Sequence, residues 1–181
     1  MSAESFLSFA QVNSVLGYEA ESGLLFWKER PRSMFTTEGS WKIWNARFAG
    51  KEAFTSFKDG YKRGCIFYRH VRAHRVAWML SHGVWPSGEI DHIDGDRANN
   101  KLENLRDVPG AENRKNARRP RNNISGVVGV SWRKDTRKWS ARVKIGGRVK
   151  CLGDFKSFDE AVATRKLAES KYGFHENHGR L

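Results

Sequence analysis

Asp91 and His92 stand side by side, Asn104 follows after a polar loop, and Asn113 comes after a Pro-Gly break. All four lie in the stretch EIDHIDGDRANNKLENLRDVPGAENRKN, residues 89–116. An imidazole near its reference pKa accepts a proton at neutral pH, an effect typically worth about 10²–10⁴-fold in rate. A carboxylate and an amide offer hard oxygen ligands of the kind that magnesium and manganese take. Such groups suit phosphodiester hydrolysis, in which a cation neutralises the charge developing on the phosphate.

The elements that must position these groups are short. Glu89 to His92 reads as the end of a strand, and IDGDRANNK is rich in the Asp, Asn and Gly that tolerate tight turns. Leu102, Leu105 and Val108 frame a second strand around Asn104, Pro109-Gly110 ends it, and residues 111–117 have the composition of a helix with Asn113 on its first turns. Strand, long loop, strand and helix would let His92, Asn104 and Asn113 converge. Asp94 and Asp96 read as turn residues, because the EF-hand spacing and its bidentate Glu are missing and calcium is excluded.

At Asp91-His92, at Asn99, Asn100, Leu102, Glu103, Asn104 and Leu105, and at Glu112-Asn113, the stretch resembles the HNH nuclease motif. This is the ββα-metal finger of homing and phage-encoded endonucleases, here of the subgroup whose third motif residue is Asn. The resemblance implies that His92 is the general base and that Asn104 bonds across the loop to keep it oriented. It also implies that Asp91 and Asn113 hold one divalent cation, Mg2+ or Mn2+, against the scissile phosphate.

Charge points to the substrate. The 181 residues carry 33 Lys and Arg against 20 Asp and Glu, a net +13, which calls for a polyanionic partner. An anionic membrane surface competes with nucleic acid, but the basic residues do not form one face of an amphipathic helix. No segment is long and apolar enough to span a bilayer, and residues 1–14 lack the marks of a signal peptide. The expectation is a protein of the cytoplasm, the host's if phage-encoded, acting on double-stranded DNA with no obligatory protein partner. Cys65 and Cys151, far apart and outside any CxxC, read as structural thiols.

The remaining chain supplies scaffold and contacts. Apolar spacing predicts a helix over 5–16 ending at Gly17, and GLLFWKERP reads as a strand closed by Pro31. Residues 32–53 read as polar and irregular, with Trp41, Trp44 and Phe48 packing onto the next strands or stacking on bases. GYKRGCIFYRHVRAH reads as a strand hairpin, and HRVAWMLSHG as a helix stopped at Gly83. His74 reads as a packing or capping residue, with neighbouring Arg75 as a phosphate contact. Arg114, Lys115, Arg118, Arg119 and Arg121 form a basic run that Pro120 keeps from being one helix. It would track a DNA backbone or be a merely solvated linker.

From Gly126 the pattern predicts three short strands joined by turns at Asp135-Thr136 and Gly146-Gly147. A helix follows, with Ser157 and Glu160 as a capping box and Ala161, Val162, Ala163 and Leu167 packing on the sheet. The SGVVGVSW entry, KWSARVK, the LGDF turn and DEAVATRKLAESKYG resemble the plant Apetala-two/ethylene-response-factor (ERF) DNA-binding domain, which also occurs fused to phage HNH endonucleases. The resemblance implies major-groove contacts by Trp132, Arg133, Trp139, Arg142 and Lys144. Val128, Ser131 and Cys151 depart from the plant pattern, so its base specificity does not carry over.

The expected fold is therefore α+β: a ββα-metal nuclease domain, then a three-stranded antiparallel sheet packed on one helix. The divisions would be an N-terminal α/β region over 1–70, the nuclease over 71–118, a basic linker over 119–125 and the ERF-type domain over 126–181. The function expected is a metal-dependent DNA endonuclease of homing type. A DNA-binding regulator with an inactive nuclease lobe is the rival, and a binder of RNA a third reading.

Overall fold

A computed structural model describes residues 7–180, so the start of the helix expected over 5–16 and residues 1–6 of the segment read against a signal peptide lie outside the described residues. The chain forms two compact units, Met1–Val108 and Pro109–Leu181.

In the first unit, α1 (Phe9–Val15) starts at a capping box in which Ser8 Oγ accepts from the Gln11 amide and Gln11 accepts from the Ser8 amide. It leads directly into β1 (Leu16–Glu19), which pairs with β2 (Leu24–Trp27) as an antiparallel hairpin. The stretch read as irregular contains α2 (Glu38–Phe48), capped by Thr37. Its aromatics pack backwards instead of onto later strands: Trp44 meets Trp27 and Phe35, and Trp41 Nε1 donates to the Arg30 carbonyl at 2.8 Å. Next comes an antiparallel sheet of β3 (Ser56–Lys58), β4 (Tyr61–Ile66) and β5 (Arg69–Arg72). The β4–β5 hairpin turns at Phe67-Tyr68, both at positive φ, as a two-residue turn of the twist-matched kind requires.

The centre of this unit is α3 (Ala73–His82), ended by Gly83 in the left-handed region as the sequence predicts. Val76 packs with Val12, Val15, Leu16, Ile66 and Val71, whereas Ala77 packs with Ile90 and Leu105. One helix thus backs both the N-terminal core and the ribbon of β6 (Glu89–His92) and β7 (Leu105–Val108). The second ribbon strand begins after Asn104, which instead ends a 3₁₀ turn over Leu102–Asn104.

In the second unit, α4 spans only Gly110–Asn113, and a 3₁₀ turn over Arg114–Asn116 replaces the rest of the helix expected over 111–117. The reason lies downstream. Arg180 donates to the carbonyl and side chain of Asn116, and the Gly179 amide bonds the Ala117 carbonyl, which draws the chain out into an extended conformation. The Arg119 amide bonds the Arg180 carbonyl at 2.9 Å. Residues 114–119, assigned from sequence to the end of the nuclease domain and the start of a linker, are therefore laced to the C-terminal segment of this unit.

The antiparallel sheet of β8 (Val130–Arg133), β9 (Lys138–Ile145) and β10 (Arg148–Phe155) carries α5 (Phe158–Lys171) on one face. Ser157 caps α5 by accepting from the Asp159 amide, so the box with Glu160 is not made. Leu167 is 73 % exposed, and Ala163 is exposed too. The buried stripe runs instead through Ala161, Arg165, Ala168 and Glu169, where Arg165 and Glu169 pair with each other at 3.1 Å. Cys65 and Cys151 are exposed free thiols, not core residues.

Candidate active site

The loop between β6 and β7 is built by its own polar side chains. The Asp94 carboxylate accepts from the Asp96 amide, Asn99 Nδ2 and Asn104 Nδ2 at 2.7–3.0 Å. Burial pushes Asp94 up, but these hydrogen bonds outweigh it and hold the carboxyl below its ordinary value. Asn104 is buried, accepts from the Asp94 amide at 3.0 Å and donates to the Asn99 carbonyl at 2.9 Å. It ties both ends of the loop together.

His92 occupies the last position of β6, 4 % exposed. Its Nε2–H donates to Asn100 Oδ1 at 3.2 Å, the tautomer that leaves the ring lone pair on Nδ1. Burial holds its pKa below the ordinary imidazole value, against the opposing pull of the Asn100 bond and of Asp94, Asp91 and Asp96. The ring is neutral at neutral pH, as a general base must be. Asn100 thus bonds the His92 ring directly, and Asn104 bonds within the same loop. The Asn99-Asn100 doublet was visible in the motif, but nothing in its composition said which amide meets the imidazole.

Asn100 is in turn seated by the β1–β2 hairpin. Tyr18 donates to the Asn100 carbonyl at 2.7 Å, and burial pushes its hydroxyl up to about 12, so it stays a donor. The Leu102 amide bonds the Ala20 carbonyl at 3.1 Å.

His74 stands edge-on to His92 with ring centroids 5.1 Å apart, and Tyr61 lies 5.0 Å from His74. His74 is 3 % exposed, its Nδ1 buried without a hydrogen-bond partner. Burial, then His92, Arg72 and Arg75, push its pKa down to about 2. It is a neutral packing group. The folded state therefore refuses a proton that the unfolded chain takes up near pH 6.5, so stability is full above that pH and is lost as pH falls from 6.5 toward 2. Melting temperature should drop between pH 7 and pH 5, and His74→Gln should shrink that drop. His92 and His178, also held low by burial, supply the remainder.

Asp91 is buried across the ribbon from Arg106, whose Nε and Nη2 reach Asp91 Oδ2 at 2.8 and 2.6 Å. Among the described residues no group of three His, Cys, Asp or Glu side chains could hold a metal. Asp91 offers a single carboxylate, shared with the Arg106 guanidinium, and a carboxylate is the hard oxygen donor that hard divalent cations take. Asn113 is the last residue of α4, in the second unit.

The other candidate contacts divide. Arg75 donates to the Gly88 and Pro86 carbonyls and buttresses the turn before β6. Arg114, Arg118 and Arg121 are exposed, Lys115 pairs with Glu112 at 3.1 Å, and Arg119 donates to the Gly126 carbonyl. Arg142 and Lys144 are exposed on the outer sheet face while Val143 is buried. Arg133 shares that face but is paired with Asp135 and Asp154. Trp132 and Trp139, opposite each other in the register, stand on the helix side, with Trp139 4.7 Å from Phe158. The structure does not bring the tryptophans to the basic face.

Residues 71–115, which include His92, match the model of the HNH endonuclease family. The chain is also similar to Protein 3.8 of Escherichia phage T7, 40% identical over 92 residues that span 50% of this chain and 74% of that protein. No solved structure matches it. Among the described residues no helix is long and apolar enough to cross a membrane. The chain therefore belongs to the same family as Protein 3.8 of Escherichia phage T7, and it carries an HNH endonuclease domain.

Proposed function

We propose that the chain is a metal-dependent DNA endonuclease of homing type, which hydrolyses phosphodiester bonds with His92 as general base. The observation that carries this reading is the His92 imidazole, buried and held through Nε2 by Asn100, next in sequence to the Asp91 carboxylate. His92 takes the proton of the attacking water on Nδ1, and Asn104 keeps the loop that carries Asn100 in shape. Asp91 would hold one Mg2+ or Mn2+, with Asn113 the second ligand that the resemblance implies, and the bound cation would supply positive charge to offset that developing on the phosphate.

The C-terminal sheet acts as the ERF-type module, with Arg142 and Lys144 presented to the DNA and the basic run from Arg114 to Arg121 following the backbone. Trp139 serves its core, and Trp132, 46 % exposed, flanks it on the helix side.

A metal titration tests the ligand assignment. Asp91→Asn should raise the magnesium concentration needed for half-maximal plasmid nicking at least tenfold, measured at equal folded fraction because the Arg106 pair is lost as well. An unchanged metal requirement would remove Asp91 from the cation's ligands.

A further inference from the structure

One strongly basic surface plays no part in the reading above. On the sheet β3–β4–β5, Lys58 pairs with Tyr61, Arg63 with Arg72 and Cys65 with His70. Alternation therefore sets Lys58, Tyr61, Arg63, His70 and Arg72 on one face. The opposite face carries buried Ile66 and Val71, and there Lys62 is neutralised by Glu52 at 2.7 Å.

The first face has no such compensation. Among the described residues Lys58, Arg63 and Arg72 form no ion pair. Arg97 joins them from the β6–β7 loop, donating to the Asp59 carbonyl at 2.9 Å. The guanidiniums of Arg72 and Arg97 both lie over Tyr61, 4.6 and 4.8 Å from its centroid. Tyr61 in turn sits 5.9 Å from the His92 ring. A cleft of about 270 Å³ opens on this face, lined by Lys58, Tyr61, Arg63, His70 and Arg72, with Asp59 as its acid.

Like charges gathered on one sheet face repel unless an anion joins them. The two stacked guanidiniums are held in fixed orientation, and planar guanidinium forks suit phosphate oxygens. We infer that the outer face of β3–β4–β5, through Lys58, Arg63 and Arg72 with Arg97, binds backbone phosphates of duplex DNA flanking the bond attacked at His92. This rests on the nuclease reading, since adjacency to His92 is what selects DNA as the anion. Phosphate contacts position a duplex without reading its bases, so the contribution of this face is affinity and register.

The test is binding of a 30-bp duplex by the full chain in EDTA, across a sodium chloride series. Each lost phosphate contact lowers the slope of log K against log salt by about 0.9. The triple variant Lys58→Gln, Arg63→Gln, Arg72→Gln should lower the slope by about 2–3 and weaken binding at least tenfold near 150 mM salt. A control with equal charge removed elsewhere in the same unit, Lys42→Gln, Arg47→Gln, Lys51→Gln, should change the slope by less than about 1. Equal losses in both triples, an unchanged slope in the first, or tighter binding of a single-stranded RNA at matched salt would overturn the proposal. Plasmid cleavage in magnesium is recorded separately. If wild type never cuts, the nuclease reading fails, while the slopes measured without metal still decide whether this face binds DNA.

Discussion

Replacing His92 with Ala should slow DNA cleavage by about 10²–10⁴-fold while leaving DNA affinity within about twofold, because general-base catalysis contributes on that order. The imidazole is buried and carries no charge at neutral pH, so its removal subtracts little from the electrostatic attraction that dominates binding. Ala leaves a hole beside His74 and orphans the Asn100 amide. His92→Gln keeps a donor for Asn100 and still cannot take the water's proton, so it should lose as much activity with less loss of stability. The wild-type rate should rise with pH along an acid limb below 6.5 and level off by neutrality, because burial lowers the His92 pKa from that ordinary value. Single-turnover cleavage of a labelled duplex measures all of this. Near-wild-type cleavage by the Gln variant would assign the proton to another group.

Gly23→Ala should also be damaging, from a position outside the proposed catalytic residues. Gly23 has φ +74°, a region that costs other residues about 1–3 kcal/mol. A Cβ there would sit 2.5 Å from the Lys101 nitrogen and 2.6 Å from the Asn100 carbonyl carbon, both backbone atoms that cannot rotate away. The loop must move, and it carries the amide that holds His92. The urea midpoint should fall by the equivalent of at least about 1–3 kcal/mol. Cleavage by the folded fraction should fall at least tenfold. Unchanged stability and rate would show that the β1–β2 turn is not the seat of the loop.

The parts legible in the sequence are those where local chemistry and long-range packing agree. The β4–β5 hairpin, α3 with its Gly83 stop, the β6 strand ending in Asp91-His92 and the three C-terminal strands all carry periodicity or turn residues that the fold keeps. Helix α2 was invisible because it buries none of its residues and so shows no apolar stripe; it is held by Trp41, Trp44 and Asn45 gathering around Arg30. The buried stripe of α5 is rotated from the one its apolar residues predict. Its buried centre is Arg165, paired with Glu169 and donating to the Arg142 carbonyl, so a pattern read for apolar residues selected exposed Leu167. At the site, spacing marks Asn99, Asn100 and Asn104 alike. Only the packing of Tyr18 and the Ala20 carbonyl against residues 100–102, from a hairpin some 80 positions away, brings Asn100 to the imidazole. The basic face of β3–β5 was hidden for a similar reason, since its residues are scattered until strand pairing aligns them.

The measurement that bears most directly on the central claim is incubation of supercoiled plasmid with the wild-type chain, with magnesium or manganese in one arm and a chelator in the other. Nicked circles should appear first, in the metal arm alone, with the DNA bound in both arms. Binding in both arms with no cleavage in either, on phage as well as host DNA, would contradict the account and leave a DNA-binding protein whose His92 performs no hydrolysis.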